Sequence, residues 1–142
     1  MEKKITAKEY LSQIYAIDRR IKRLQQMRAQ IREEMYAVRS PGITPDRVQT
    51  SATGDSLERL IAKVDSVERN IVTELQRLIE RRTVISGQID DMQDERYKAI
   101  LHARYVMCWK WEKVARELHY SDRNVYQLHG EALAAFDKQY LQ

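Results

Sequence analysis

Six apolar residues recur at intervals of seven through the middle of this chain: Leu57, Val64, Ile71, Leu78, Ile85 and Met92. Strands repeat every two residues, so a row of this length and spacing points to a long helix with one apolar edge. A companion row, Leu60, Ile61, Val67, Leu75 and Ile89, drifts across the first. A nearly straight helix does this because 3.6 residues per turn do not match a 3.5 repeat. Upstream, Tyr10, Ile14, Ile17, Ile21, Leu24, Ile31, Met35 and Val38 keep a spacing of four and three, which predicts one helix from about Thr6 to Val38. Arg28 stands on this seam where an aliphatic residue is expected; it can snorkel or meet an acid across the interface, and so fix register. Between the two rows, residues 39–55 hold both prolines, Pro41 and Pro45, and two of the four glycines, Gly42 and Gly54, with no sustained period. This stretch is expected to be a connection, with Asp55 or Ser56 as N-cap of the second helix. Residues 1–92 are therefore expected to form a long antiparallel coiled-coil helical hairpin, each arm roughly 50 Å long. A two-helix hairpin buries one narrow seam, and a second copy completing a four-helix bundle is the simplest supply of further cover. A homodimer through the hairpin is the expectation.

Composition narrows the function classes. With 43% hydrophobic and 32% charged residues in 142, the chain is too apolar for a disordered tail and suits long, solvent-laced helices. No apolar run approaches the roughly 18 residues of a membrane span, and Met1-Glu2-Lys3-Lys4 leads into charged sequence, so a cytoplasmic protein without a membrane partner is expected. Cys108 is the only cysteine, which excludes an internal disulfide. With His102, His119 and His129 it lacks any ligand spacing, so neither a metal nor another cofactor is expected. Glu33-Glu34 and Asp90-Asp91 are sequence neighbours that point apart on a helix, and the chain has no phosphate-cradling glycine loop. No catalytic residues are assigned, and an enzyme is not expected.

Residues 93–142 change to short helices. Asp94 is a candidate N-cap for a third helix over about Glu95 to Met107, with Tyr97, Ile100, Leu101 and Tyr105 turned toward a core. A fourth runs from about Trp111 to Leu118, and a fifth follows Ser121 through Val125, Leu128, Leu133 and Phe136. The last two read as a small helix-turn-helix domain: Ala115 is small where the helices touch, Val125 anchors ten residues on, and Val114, Leu118 and Leu128 complete the core. The Ser121 hydroxyl caps the fifth helix and leaves its first turn pointing outward, the geometry of a major-groove reader. Ser121, Asp122, Arg123, Asn124, Tyr126 and Gln127 are the candidate DNA-binding residues, because Arg can fork onto guanine and Asn or Gln can pair with adenine. Trp109-Lys110-Trp111 reads as packing between the third and fourth helices.

From about Asp94 to Phe136 the chain resembles region four of bacterial sigma factors. The resemblance rests on Arg104-Tyr105, on Glu112-Lys113-Val114-Ala115-Arg116-Glu117-Leu118, on Ser121, and on Arg123-Asn124-Val125-Tyr126-Gln127-Leu128. Trp111-Glu112 and His129-Gly130-Glu131-Ala132-Leu133 make it similar to short phage and prophage transcriptional regulators of the ArpU and RinA type. The resemblance implies double-stranded DNA as partner and transcription regulation in a bacterial host cell. The turn position where such motifs usually place a left-handed glycine falls here on His119. From Trp109 to Gln142 five bases meet five acids, whereas residues 1–38 carry nine bases against five acids. A neutral reader binds DNA weakly alone, so dimerisation, a second basic surface around Lys3, Lys4, Lys8, Arg19, Arg20, Lys22, Arg23 and Arg28, or a protein partner is expected to help. The alternatives are an adaptor or inhibitor presenting a sigma-like domain to host RNA polymerase or another phage component, and a DNA-packaging recognition subunit.

Overall fold

Both prolines fall at positions 41 and 45, so nothing in the remaining sequence forces a long helix to stop. The computed structural model describes residues 4–39 and 51–142; the expected connection at Pro41, Gly42 and Pro45 lies outside them. The described chain is all-α, with two long helices, α1 (Ala7–Arg39) and α2 (Ser51–Asp90), forming a helical hairpin. Three shorter helices follow: α3 (Glu95–Leu101), α4 (Trp111–Leu118) and α5 (Asp122–Phe136). No helix among the described residues is long and apolar enough to cross a membrane.

Side-chain caps start α1 and α3. Thr6 and Glu9 form a reciprocal capping box at α1: the Glu9 amide donates to Thr6 Oγ1 at 3.1 Å and the Thr6 amide donates to Glu9 Oε2 at 3.4 Å. At α3 the Arg96 amide donates to Asp94 Oδ1 at 2.9 Å, and the Arg96 guanidinium beside the same carboxylate holds its pKa below the ordinary range. The expected cap of α2 is corrected. The helix already begins at Ser51, so Asp55 and Ser56 lie inside it. Once a helix is nucleated each further residue adds a hydrogen bond, which carries it through Ser51-Ala52-Thr53 and across Gly54.

The third helix also departs from its expected end at Met107. Regular α geometry stops at Leu101, and His102–Val106 widen into a π-helical turn in which the Met107 amide reaches the His102 carbonyl at 2.9 Å. The segment closes through Cys108, whose φ is 59°, and a 3.0 Å bond from the Trp109 amide to the Ala103 carbonyl.

Contacts group the chain into two compact units, Met1–Arg19 with Ile79–Gln142, and Arg20–Leu78, a division that cuts across both arms and not at residue 92. The first unit has a deep core. Leu11, Ile14, Ile89, Ile100, Leu101, Val114, Ala132 and Phe136 are fully buried there. Aromatic rings bind its layers: Tyr10 lies 5.7 Å from Phe136, and Tyr15 stacks on Tyr105 at 5.6 Å. The Tyr10 hydroxyl donates to Gln88 Oε1 at 2.6 Å, and Arg82 pairs with Asp18 at 2.7 Å. In the second unit Ile21, Leu24, Ile71, Leu75 and Leu78 are buried, but Ile31, Met35, Val38, Ile61 and Val64 are only half-buried. Leu57, Leu60 and Val67, read from the sequence as seam residues, are exposed. Arg28 does meet an acid across the seam: Glu68 Oε1 accepts from it at 3.2 Å and from Arg32 at 2.7 Å. These two hydrogen bonds hold the Glu68 carboxyl below its ordinary pKa.

Candidate nucleic-acid interface

The turn between α4 and α5 sets the geometry of the candidate site. His119 adopts the left-handed conformation expected of it, with φ 61° and ψ 43°. Its amide reaches the Arg116 carbonyl at 3.4 Å and the Tyr120 amide reaches the Ala115 carbonyl at 2.9 Å, the Schellman pattern that satisfies the last carbonyls of a helix. A non-glycine residue accepts this backbone at a cost, because Cβ crowds the following carbonyl. Two residues on, Ser121 Oγ accepts from the Asn124 amide at 3.2 Å and starts α5.

The five residues read as the helix-turn-helix core divide cleanly. Val114, Ala115, Val125 and Leu128 are buried, and Leu118 is half-buried. The six candidate contact residues, Ser121, Asp122, Arg123, Asn124, Tyr126 and Gln127, are all exposed on the first two turns of α5. Arg123 and Gln127 stand one helical turn apart and so share a face; neither side chain bonds or pairs with any other described residue. Gly130 continues that face one turn further, and a Cβ built there would meet nothing. Tyr126 is turned aside, its ring tilted 5.3 Å from that of Trp111.

Trp111 is the hub behind the exposed face. Its ring meets the edge of His129 at 4.6 Å, and the Arg104 guanidinium lies 4.4 Å from its centroid. Its packing is thus mainly against α5 and the π-helical turn. Arg104 also donates to the Trp109 carbonyl at 2.9 Å, while its own carbonyl accepts from the Tyr15 hydroxyl at 2.6 Å. Arg104 therefore ties α1, the wide turn and the start of α4 together. Sequence motifs show Arg104-Tyr105 as a pair but not this clamp, because the π-helical turn that aims it leaves no local mark. A shallow depression next to it gathers Arg104, Lys110, Trp111, Glu112, Asp122 and Tyr126, bringing Lys110, absent from the sequence-derived set, beside two members of it.

Below this surface His129 is buried and shares a 2.8 Å hydrogen bond between Nε2 and the Tyr105 hydroxyl. Burial, with Lys8 and Arg104 adding repulsion, pulls the His129 pKa down to about 4. Burial likewise pushes the Tyr105 phenol up to about 12. The imidazole is neutral near pH 7, and its tautomer sets which of the two groups donates. Among the described residues no group of three His, Cys, Asp or Glu side chains comes together as a metal site. No protein-family model, curated protein or solved structure matches this chain.

Proposed function

We propose that this chain is a sequence-specific DNA-binding transcriptional regulator of the phage type, acting in the cytoplasm of a bacterial host cell. In this reading α5 enters the major groove and the hairpin holds two copies together. The observation that carries it is the exposed face of α5: Arg123, Asn124 and Gln127 stand clear of the protein just past a Ser121 cap and a left-handed His119 turn. Side chains with this hydrogen-bonding capacity, unpaired on a rigid helix, suit base edges. The long electrostatic reach needed for encounter comes from elsewhere, since residues 1–38 carry the whole net charge of +4.

The test is selection of duplexes from a random pool by the full chain. Arg123→Ala and Gln127→Ala are each expected to cost about 1–3 kcal/mol of discrimination at one base position, with helicity unchanged. Replacing Arg19, Lys22 and Arg23 by Gln is expected to weaken binding to all sequences alike and to flatten the salt dependence. If both α5 variants keep the selected sequence and its affinity, the reading is wrong. The five-to-five charge balance of residues 109–142 favours a second reading, an adaptor that offers this domain to RNA polymerase, and it gains if the pool shows no enrichment.

A further inference from the structure

Two stripes in the Arg20–Leu78 unit flank the seam without entering it. Arg20, Met27 and Glu34 recur every seven residues on α1, and Leu60, Val67 and Glu74 do so on α2. Met27 is 49% exposed, Leu60 46% and Val67 39%, whereas Leu24, one turn from Met27, and Ile71, one turn from Val67, are each 5% exposed. The two stripes lie on the same side of the hairpin. Arg20 is near enough to Glu74 to contribute, after Arg77, to the lowering of that carboxyl's pKa. The opposite side is the one held by Arg28 and Arg32 around Glu68.

The order along α1 is basic, apolar, acidic. Turning a second copy end for end about Met27 places Arg20 of each chain opposite Glu34 of the other, roughly 10 Å to either side of the two-fold axis. Glu34 has no cation beside it among the described residues, its hydrogen bond being to Gln30 of its own helix at 3.2 Å. The complementarity is thus between this surface and itself. We infer that the face made by Arg20, Met27, Glu34, Leu60 and Val67 is the docking surface for a second copy of this chain, packed antiparallel with Met27 against Met27. The inference rests on the reading of the hairpin as the association element and specifies its surface and register. Met27 on one arm, with Leu60 and Val67 seven residues apart on the other, supplies apolar cover that the half-buried seam lacks. The antiparallel register adds two symmetry-related ion pairs that reject the shifted alignments.

The experiment uses the full chain with Cys108→Ser. Met27→Cys is expected to oxidise to a covalent dimer, while Val84→Cys, more open to solvent but on the other unit, is expected to stay single on a denaturing gel. Arg20→Glu and Glu34→Arg are each expected to weaken the dimer about tenfold in sedimentation, and the double exchange to restore it, with helicity followed throughout. A parent chain that sediments as a monomer would overturn the association reading itself. A dimer in which Met27→Cys does not cross-link, or in which the double exchange gives no recovery, would overturn this face and register alone.

Discussion

The same helix, α2, lives in two different surroundings. At Ile85 and Ile89 its apolar row is 2% and 0% exposed, while at Leu57 and Leu60 the same kind of residue is 39% and 46% exposed. Propensity and spacing are alike along its length, so the difference comes from the number of neighbours. In the first unit the row is packed among short helices and a cluster of tyrosines; in the second, among the described residues, it has one facing helix. A heptad row specifies a helix and an edge, but how far that edge is buried depends on what else the chain brings to it.

Large-to-small substitution is the sharpest way to break this comparison. Phe136→Ala, in the fully buried core of the first unit, is expected to lower stability by about 3–5 kcal/mol, whereas Val64→Ala, half-buried in the arms, is expected to cost less than about 1 kcal/mol. Urea unfolding followed by circular dichroism measures both, and equal costs would mean the arms are as well packed as the core. A change of pH probes the first unit alone. The unfolded His129 titrates near 6.5 and the folded one near 4, so the unfolded chain binds more protons between these values. Stability from this group is complete above pH 6.5 and is lost as pH falls toward 4, at most about 1.4 kcal/mol per unit. His129→Gln should remove that slope; thermal melts at pH 7, 6 and 5 would expose the error if both proteins lost stability in parallel.

Smaller effects sharpen the comparison at the turn and on α5. His119→Gly, relieving a left-handed residue, is expected to raise stability by up to about 1 kcal/mol. Gly130→Ala, filling open space on a helix interior, is expected to gain about 0.5–1 kcal/mol. A loss in the first case would show that the His119 side chain makes a contribution beyond its backbone. A loss in the second would show that the surface of α5 is tighter than its geometry indicates.

What was legible in the sequence was local or periodic. Asp94 and Ser121 cap where their chemistry says, because the side chain bonds an amide two or three residues away. His119 takes the left-handed turn expected from the motif, closed by backbone bonds from His119 and Tyr120 to Arg116 and Ala115. Leu11, fully buried yet one residue off the row that begins at Tyr10, was not visible, because both neighbours face the core where further helices cover α1. Neither the burial of His129 nor its bond to Tyr105 could be read, since a histidine on a helix carries no signal of what closes over it. The exposed set on α5 was legible as positions on a face, but Lys110 and Arg104 joined its surroundings through the π-helical turn.

That turn makes the chain between α3 and α4 intolerant of length changes. A five-residue hydrogen-bond span holds one residue more than an ordinary α turn, and each residue in a helix swings the next by about 100°. Deleting a single residue between His102 and Val106 would let the backbone relax into regular α-helix and rotate everything downstream by that angle. Arg104 would then point away from the Trp111 ring and the Tyr15 hydroxyl would lose its carbonyl. Insertions and deletions are ordinarily best tolerated between helices, but in this molecule one such connection acts as a ruler, and homologous chains that keep the arrangement must keep its count.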